Sequence, residues 1–197
     1  MKKGTTFGII LIILIVFGGF YGCSKRNGFV EKNQVIKKAA GNMQVQYQRR
    51  MDLIDQLVST VKGQANFEQS TLTGIVNARA SATQVKLDVD NLSPEAIQKY
   101  KAVQGELGMA LGKLLSITEN YPQLQTNSAF SELRTSIEGC ENRISFARTD
   151  YNTAVTDFNT AILKIPGCWF AWGYKEYPTF EADQGAEKAP KIDFNAK

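Results

Sequence analysis

From Phe7 to Phe20 the chain is apolar, with Ile9 through Phe17 unbroken and no charged residue between Thr6 and Cys23. Those eighteen residues, at the rise of an α-helix, cover about 27 Å, close to the roughly 30 Å of hydrocarbon in a bilayer. Lys2 and Lys3 flank one end and Lys25 and Arg26 the other, while Phe20 and Tyr21 stand where interfacial aromatics are favoured. The pattern predicts one transmembrane helix. Past it, apolar residues recur at steps of three and four rather than two, which predicts helix throughout. Met43, Tyr47, Met51, Ile54, Val58 and Val61 form a first stripe. Asn27-Gly28 offers a joint between this helix and the anchor.

Lys62-Gly63 weakens the first soluble helix, and Asn66 with Gln69 three residues on resembles a capping box for a second. That second helix carries Leu72, Ile75, Val76, Arg79, Ala82 and Val85 up to a turn at Asp88 to Asn91. Ser93-Pro94-Glu95 is a strong restart: a capping hydroxyl, proline at the first helical position and an acid at the positive end of the dipole. The third stripe is Ile97, Tyr100, Val103, Leu107, Leu111, Leu114 and Leu115, ending near Tyr121-Pro122. The fourth runs through Phe130, Leu133, Ile137, Cys140, Ile144, Ala147, Tyr151, Ala154, Phe158 and Ile162 to a stop at Pro166-Gly167. Four such segments with short connections predict an all-α protein: an antiparallel four-helix bundle with long first and last helices, preceded by one N-terminal transmembrane helix. The expected parts are an anchor over residues 1–26, a helical bundle over 27–167 and an aromatic-rich C-terminal tail over 168–197.

The length of 197 residues leaves room for one domain beside the anchor. The net charge of +4 is modest, and acids and bases are interspersed from Glu31 onward, which argues against nucleic acid as a partner. There is no histidine, so the commonest general base and the commonest transition-metal ligand are both missing. The three cysteines, Cys23, Cys140 and Cys168, are too scattered for a zinc site, so no metal and no cofactor is expected. Their odd number argues against a disulfide framework, although a Cys140–Cys168 bridge stays open. No G-x-x-x-x-G-K-[ST] run is present to cradle a phosphate.

The N-terminal run also shares features with signal sequences. A cleaved secretory signal lacks its small-x-small site here. A lipoprotein signal would be cut before Cys23 and the thiol acylated; Gly22 suits it, whereas Phe20 and Tyr21 are bulky for it. Lys25, Arg26, Lys32, Lys37 and Lys38 outnumber Lys2 and Lys3, which favours a cytoplasmic C-terminal domain by the positive-inside rule; acylation would put it on the opposite side.

The stretch Gln48-Arg49-Arg50-Met51-Asp52-Leu53-Ile54, followed by Leu57-Val58 and Val61-Lys62-Gly63, resembles the first block of the LemA family of bacterial membrane proteins. Phe67-Glu68, Thr71-Leu72 and Asn77-Ala78-Arg79 continue the likeness. Tyr121-Pro122 with Leu124, then Glu141-Asn142-Arg143-Ile144, Ala147-Arg148 and Asp150-Tyr151-Asn152, are similar to the family's long last helix. Phe180-Glu181-Ala182, Gly185-Ala186 and Pro190 to Phe194 are similar to its ending. The blocks run in the family's order from about Ala39 to Phe194. The chain departs from the pattern at Ala40, where the family often has tryptophan, and at Asp55-Gln56, where it often has Pro-Asn. The resemblance implies a short N-terminal tail, one membrane span and a helical bundle, with no established enzymatic activity.

Among polar residues, Arg49 or Arg50 is placed to pair with Glu141, and Arg143 with Asp52, if the first and last helices lie side by side; such pairs are expected to set register rather than to bind a ligand. Glu138 and Glu141, one turn apart, could divide acid and base roles but read as a solvated face. Cys140 lies within an apolar stripe and is expected in the core. Trp169, Phe170 and Trp172, in a run of aromatics outside any helix, are expected either at the bilayer interface or as a cap on the bundle's open end. The polar tail beyond Glu181 is expected to lack regular structure, with Lys191 to Phe194 free to dock on this domain or on another protein. The expected partners are the bilayer and unidentified proteins, and the leading role is that of a membrane-anchored adaptor or scaffold in the bacterial envelope. An acylated envelope lipoprotein with a binding role is the alternative, and an enzyme built on carboxylates and arginines a third.

Overall fold

The computed structural model describes residues 3–63 and 67–180. Lys2, Asn66 of the expected capping box and the tail from Glu181 to Lys197, with its Lys191 to Phe194 segment, lie outside the described residues. Within them the protein is helical, without a strand. The elements are α1 (Lys3–Lys62), α2 (Gln69–Gln84), α3 (Pro94–Thr118), the single turn α4 (Pro122–Gln125) and α5 (Ser128–Leu163), followed by a 3₁₀ turn at Gly167–Trp169.

The expected anchor and the expected first helix of the bundle are one helix. Its sixty residues measure about 90 Å at the helical rise. The helix passes through Asn27-Gly28 without a joint. Glycine costs a helix about 1 kcal/mol relative to alanine, but the residue that follows, Phe29, is buried and meets Tyr174 of the C-terminal segment, with ring centroids 5.7 Å apart. Burial of the Phe29 ring, worth about 1.5–3 kcal/mol, outweighs the local penalty. From Ile9 to Phe20 nothing covers the helix: Ile9 through Phe17 and Phe20 are all exposed.

The local signals at the other helix ends act as their chemistry dictates. Ser93 Oγ accepts from the Ala96 N–H at 3.2 Å with Pro94 opening α3. Asn127 Oδ1 accepts from the Phe130 N–H at 3.2 Å to start α5. The residue capping α2 is Glu68, whose side chain makes no capping bond. Tyr121-Pro122 closes no helix; α3 has already ended at Thr118, and Pro122 opens α4. At the end of α5 the chain turns back at Gly167, where a Cβ would run into the Ala161 carbonyl oxygen, so only glycine lets the backbone approach this closely.

Packing is dominated by α1 on α5 and by α2 on α3. The core falls into two clusters. One joins Phe29 to Tyr47 of α1, Cys140 to Ile162 of α5, Ile97 and Tyr100 of α3, and Phe180. The other joins Met51 to Val61 of α1, Leu72 to Ala82 of α2, Leu107 to Leu114 of α3, Leu124, and Phe130 and Ile137 of α5. Helix α2 thus serves only the cluster farther from the apolar N-terminal run. Next to that run, α1 and α5 are closed instead by the segment from Phe170 to Phe180.

That segment is held by an asparagine ladder. Asn159 Nδ2 donates to the Tyr177 carbonyl (2.8 Å) and its Oδ1 accepts from the Tyr177 N–H (3.0 Å). Asn152 does the same for Phe180, at 2.9 and 2.7 Å. Seven residues of helix and three of extended chain both advance about 10 Å, so the two rungs match. Tyr177 also donates to Asn33 Oδ1 of α1 (2.7 Å), and Tyr151 to the Pro178 carbonyl (3.0 Å).

Candidate functional site

Arg50 lies three residues after Tyr47 and four before Ile54, on the buried face of α1, and only 4% of it is exposed. Its Nη2 donates to both the backbone carbonyl (2.8 Å) and Oε1 (2.6 Å) of Gln104 in α3. Its Nη1 donates to Glu141 Oε1 in α5 at 3.1 Å. The guanidinium also stands over the Tyr47 ring, 5.1 Å from the centroid. These residues fill the seam between the two core clusters: Tyr47, Tyr100 and Cys140 border it on one side, and Met51, Leu107 and Ile137 on the other. A single buried cation therefore ties three helices together at one level. Its Nε has no protein partner, nor has the nearby Gln46 Oε1.

Arg49, one residue away, faces solvent. The expected Arg143–Asp52 pair does not form: Arg143 is exposed, and Asp52 accepts from Gln48 Nε2 one turn back at 2.9 Å. The reason is helical phase, since Arg143 precedes the buried Ile144 by one position and so points off the packed face. Glu138 pairs with Arg134 at 3.3 Å while Glu141 serves Arg50, so the two carboxylates do not share a substrate-sized space. Apolar periodicity does not single out Gln104, although a polar residue inside the stripe Ile97, Tyr100, Leu107, Leu111 is a usable signal. Asn152 and Asn159 escape it too; asparagines mid-helix at a spacing of seven are a comparable signal, because asparagine disfavours helix interiors.

Cys140 is buried, with its thiol donating weakly to the Gln46 carbonyl at 3.4 Å. Burial, and secondarily the Glu141 charge, pushes its pKa up, the opposite of an activated nucleophile. Cys140 and Cys168 are free, as is Cys23, and the latter two are exposed. Among the described residues no group of cysteines and carboxylates is placed to hold a metal ion. At the two departures from the family pattern, Ala40 is fully buried and Asp55 pairs with Arg79 of α2.

A second cluster surrounds the point where the bare part of α1 meets the packed part. Phe170 packs inward: its ring lies 6.0 Å from that of Tyr21, edge to face, and over Gly22, where a Cβ would come within 2.8 Å of Cε1. Arg26 Nη1 donates to the Trp172 carbonyl at 3.3 Å and stands over the Tyr174 ring. Lys25 stands over Tyr21. Trp169 and Trp172 themselves turn outward, 71% and 85% exposed.

The sequence model of the LemA family matches residues 39–194. Magnetosome protein MamQ 2 of Paramagnetospirillum magneticum is 26% identical, over 92% of this chain and 74% of that protein. Magnetosome protein MamQ of Magnetospirillum gryphiswaldense is 25% identical, over 78% of this chain and 64% of that protein. Protein LemA of Metamycoplasma hominis is 26% identical, over 79% and 68% respectively. None of these names is that of an enzyme.

Proposed function

The chain belongs to the LemA family, and from that starting point we propose that it is a single-pass membrane scaffold presenting a helical surface to partner proteins, with no enzymatic activity of its own. The observation that carries this is the continuity of α1. One helix is bare and apolar from Ile9 to Phe20 and buried in the domain from Phe29 onward. A domain so attached cannot swivel on a linker, and its faces keep a set height and direction relative to the bilayer.

The architecture we read from the contacts is an antiparallel four-helix bundle in the part away from the anchor. Arg50 meets Glu141, and Phe29 lies beside Gly167, as expected if α5 runs back along α1. Tyr47 contacts Tyr100 near the start of α3, as expected if α3 runs with α1. Of the charged residues in the family blocks, Arg50 and Glu141 hold helices together, while Arg49 and Arg143 face outward, and we take recognition to lie on the outer faces. There Met109 of α3 and Phe146 of α5 stand in water.

Photo-crosslinking residues placed at Met109 and Phe146 in the full chain, activated in intact cells, test the proposal. Capture of the same protein from either position, lost when the chain is expressed without crosslinker, supports it. Absence of any specific adduct from both faces overturns it. The lipoprotein alternative requires cleavage before Cys23, which would remove the Tyr21 and Gly22 that seat Phe170. Mass spectrometry of the N-terminal peptide separates the two: an intact Met1-containing peptide with a free Cys23 thiol supports the span, and an acylated Cys23 at the terminus supports the lipoprotein.

A further inference from the structure

Four large apolar side chains stay uncovered within ten residues of the chain: Leu163, Ile165, Trp169 and Trp172. Leu163, Trp169 and Trp172 rim a shallow open recess that also includes Lys175 and Glu176. Elsewhere in the soluble part exposed apolar residues are scattered singly, which is ordinary for a protein surface. Here they are gathered at the level of the anchor's last turn. Two contacts set that level: Phe170 on Tyr21 and Gly22, and Arg26 on the Trp172 carbonyl. From Tyr21 to Arg26 the helix rises about 7 Å, comparable to the roughly 5–7 Å of headgroup layer on each side of a bilayer.

The charge around the patch is one-sided. Between residues 21 and 26 and between 163 and 176, Lys25, Arg26, Lys164 and Lys175 face a single carboxylate, Glu176. Uncovered indoles ringed by cations fit a bilayer interface with anionic headgroups: the rings favour the headgroup level, and the cations are drawn to its negative surface. A protein partner would be equally drawn to the rings, but would need its own reason to sit in the plane where the anchor enters lipid.

We propose that Trp169 and Trp172, with Leu163 and Ile165, form a collar that inserts into the headgroup layer of an anionic bilayer, locked to the anchor by Phe170 seated on Gly22. This rests on the single-span reading of α1. The collar gives the anchor a second, off-axis foothold about its point of entry, so the helix can neither tilt freely nor slide through the membrane.

The chain's two tryptophans both lie in the collar, so tryptophan emission, excited at the red edge where tyrosine does not absorb, reports on it alone. The full chain is reconstituted in phosphatidylcholine–phosphatidylglycerol vesicles brominated either near the headgroups or near the acyl-chain ends. The expected result is loss of tryptophan emission under the shallow bromine, less loss under the deep one, and weaker quenching when phosphatidylglycerol is omitted. Trp169→Phe and Trp172→Phe chains, each with one indole left, are both quenched. Gly22→Leu, which drives the Phe170 ring off its seat, still floats with the vesicles but is quenched less. Vesicle-bound chain with unquenched tryptophans overturns the collar and leaves the span standing. Chain that fails to float overturns the span and the collar together. Gly22→Leu chain quenched as fully as the native one overturns the Phe170 lock.

Discussion

Replacing Arg50 by methionine removes a buried cation while keeping most of its length, and the structure sets the size of the effect. Glu141 is 43% exposed, so on losing Arg50 it turns to water, and that half of the pair contributes little. Gln104 is different. It is buried, and its Oε1 accepts from Arg50 at 2.6 Å. Left without that donor, it incurs the desolvation penalty of an unsatisfied buried amide, about 1–3 kcal/mol, on top of the lost charge-assisted bond. Partial relief comes from no longer burying the guanidinium, so the net loss for Arg50→Met is about 2–4 kcal/mol. For a domain of this size that lowers the melting temperature by on the order of 10 °C. Glu141→Gln leaves the buried Arg50 without its counter-charge but with both bonds to Gln104, and should cost about 1–2 kcal/mol. The double variant Arg50→Met, Gln104→Leu turns the seam apolar and should recover to within about 1 kcal/mol of the native chain, since replacing a whole buried polar set is often near neutral. Thermal melts of the full chain in detergent, followed by far-ultraviolet circular dichroism, read all four proteins. An Arg50→Met chain melting within about 2 °C of native, or a double variant no better than the single, would refute the seam as a demanding polar layer.

Three further outcomes follow from other contacts. Gly167→Ala sets a methyl against the Ala161 carbonyl, backbone that cannot easily move, and should cost about 1–3 kcal/mol by the same melts. Asn152→Ala and Asn159→Ala each strand an N–H and a carbonyl of the C-terminal segment; each should cost about 1–2 kcal/mol, and trypsin should cut after the exposed Lys175 faster than in the native chain. Burial raises the pKa of Tyr100 and Tyr151 well above the ordinary tyrosine value of 10.0. The unfolded chain then releases these protons at lower pH than the folded one, so their contribution is intact below about pH 10 and is lost as pH rises beyond it. Denaturant titrations over that range should show a steeper alkaline fall in stability for the native chain than for Tyr100→Phe, and an unchanged slope would contradict the assignment.

Local chemistry decided the class of this protein. The uncharged run before Cys23, the three-and-four spacing of the stripes, and the Ser93-Pro94-Glu95 start of α3 each act within one or two helical turns, so they are legible from the chain alone. The family likeness was legible for the same reason, as short blocks in order. Tertiary packing decided everything that depends on rotation or on distant neighbours. Adjacent residues on a helix differ by about 100°, so whether Arg49 or Arg50 meets Glu141 depended on how α1 beds against α3 and α5. Asn27-Gly28 looks like a joint until Phe29 is buried against Tyr174, a ring far along the chain. Phe170 resembles its tryptophan neighbours in sequence and parts from them only because Gly22 leaves room for its ring. Periodicity shows which side of a helix is hidden; only the assembled helices show what hides it.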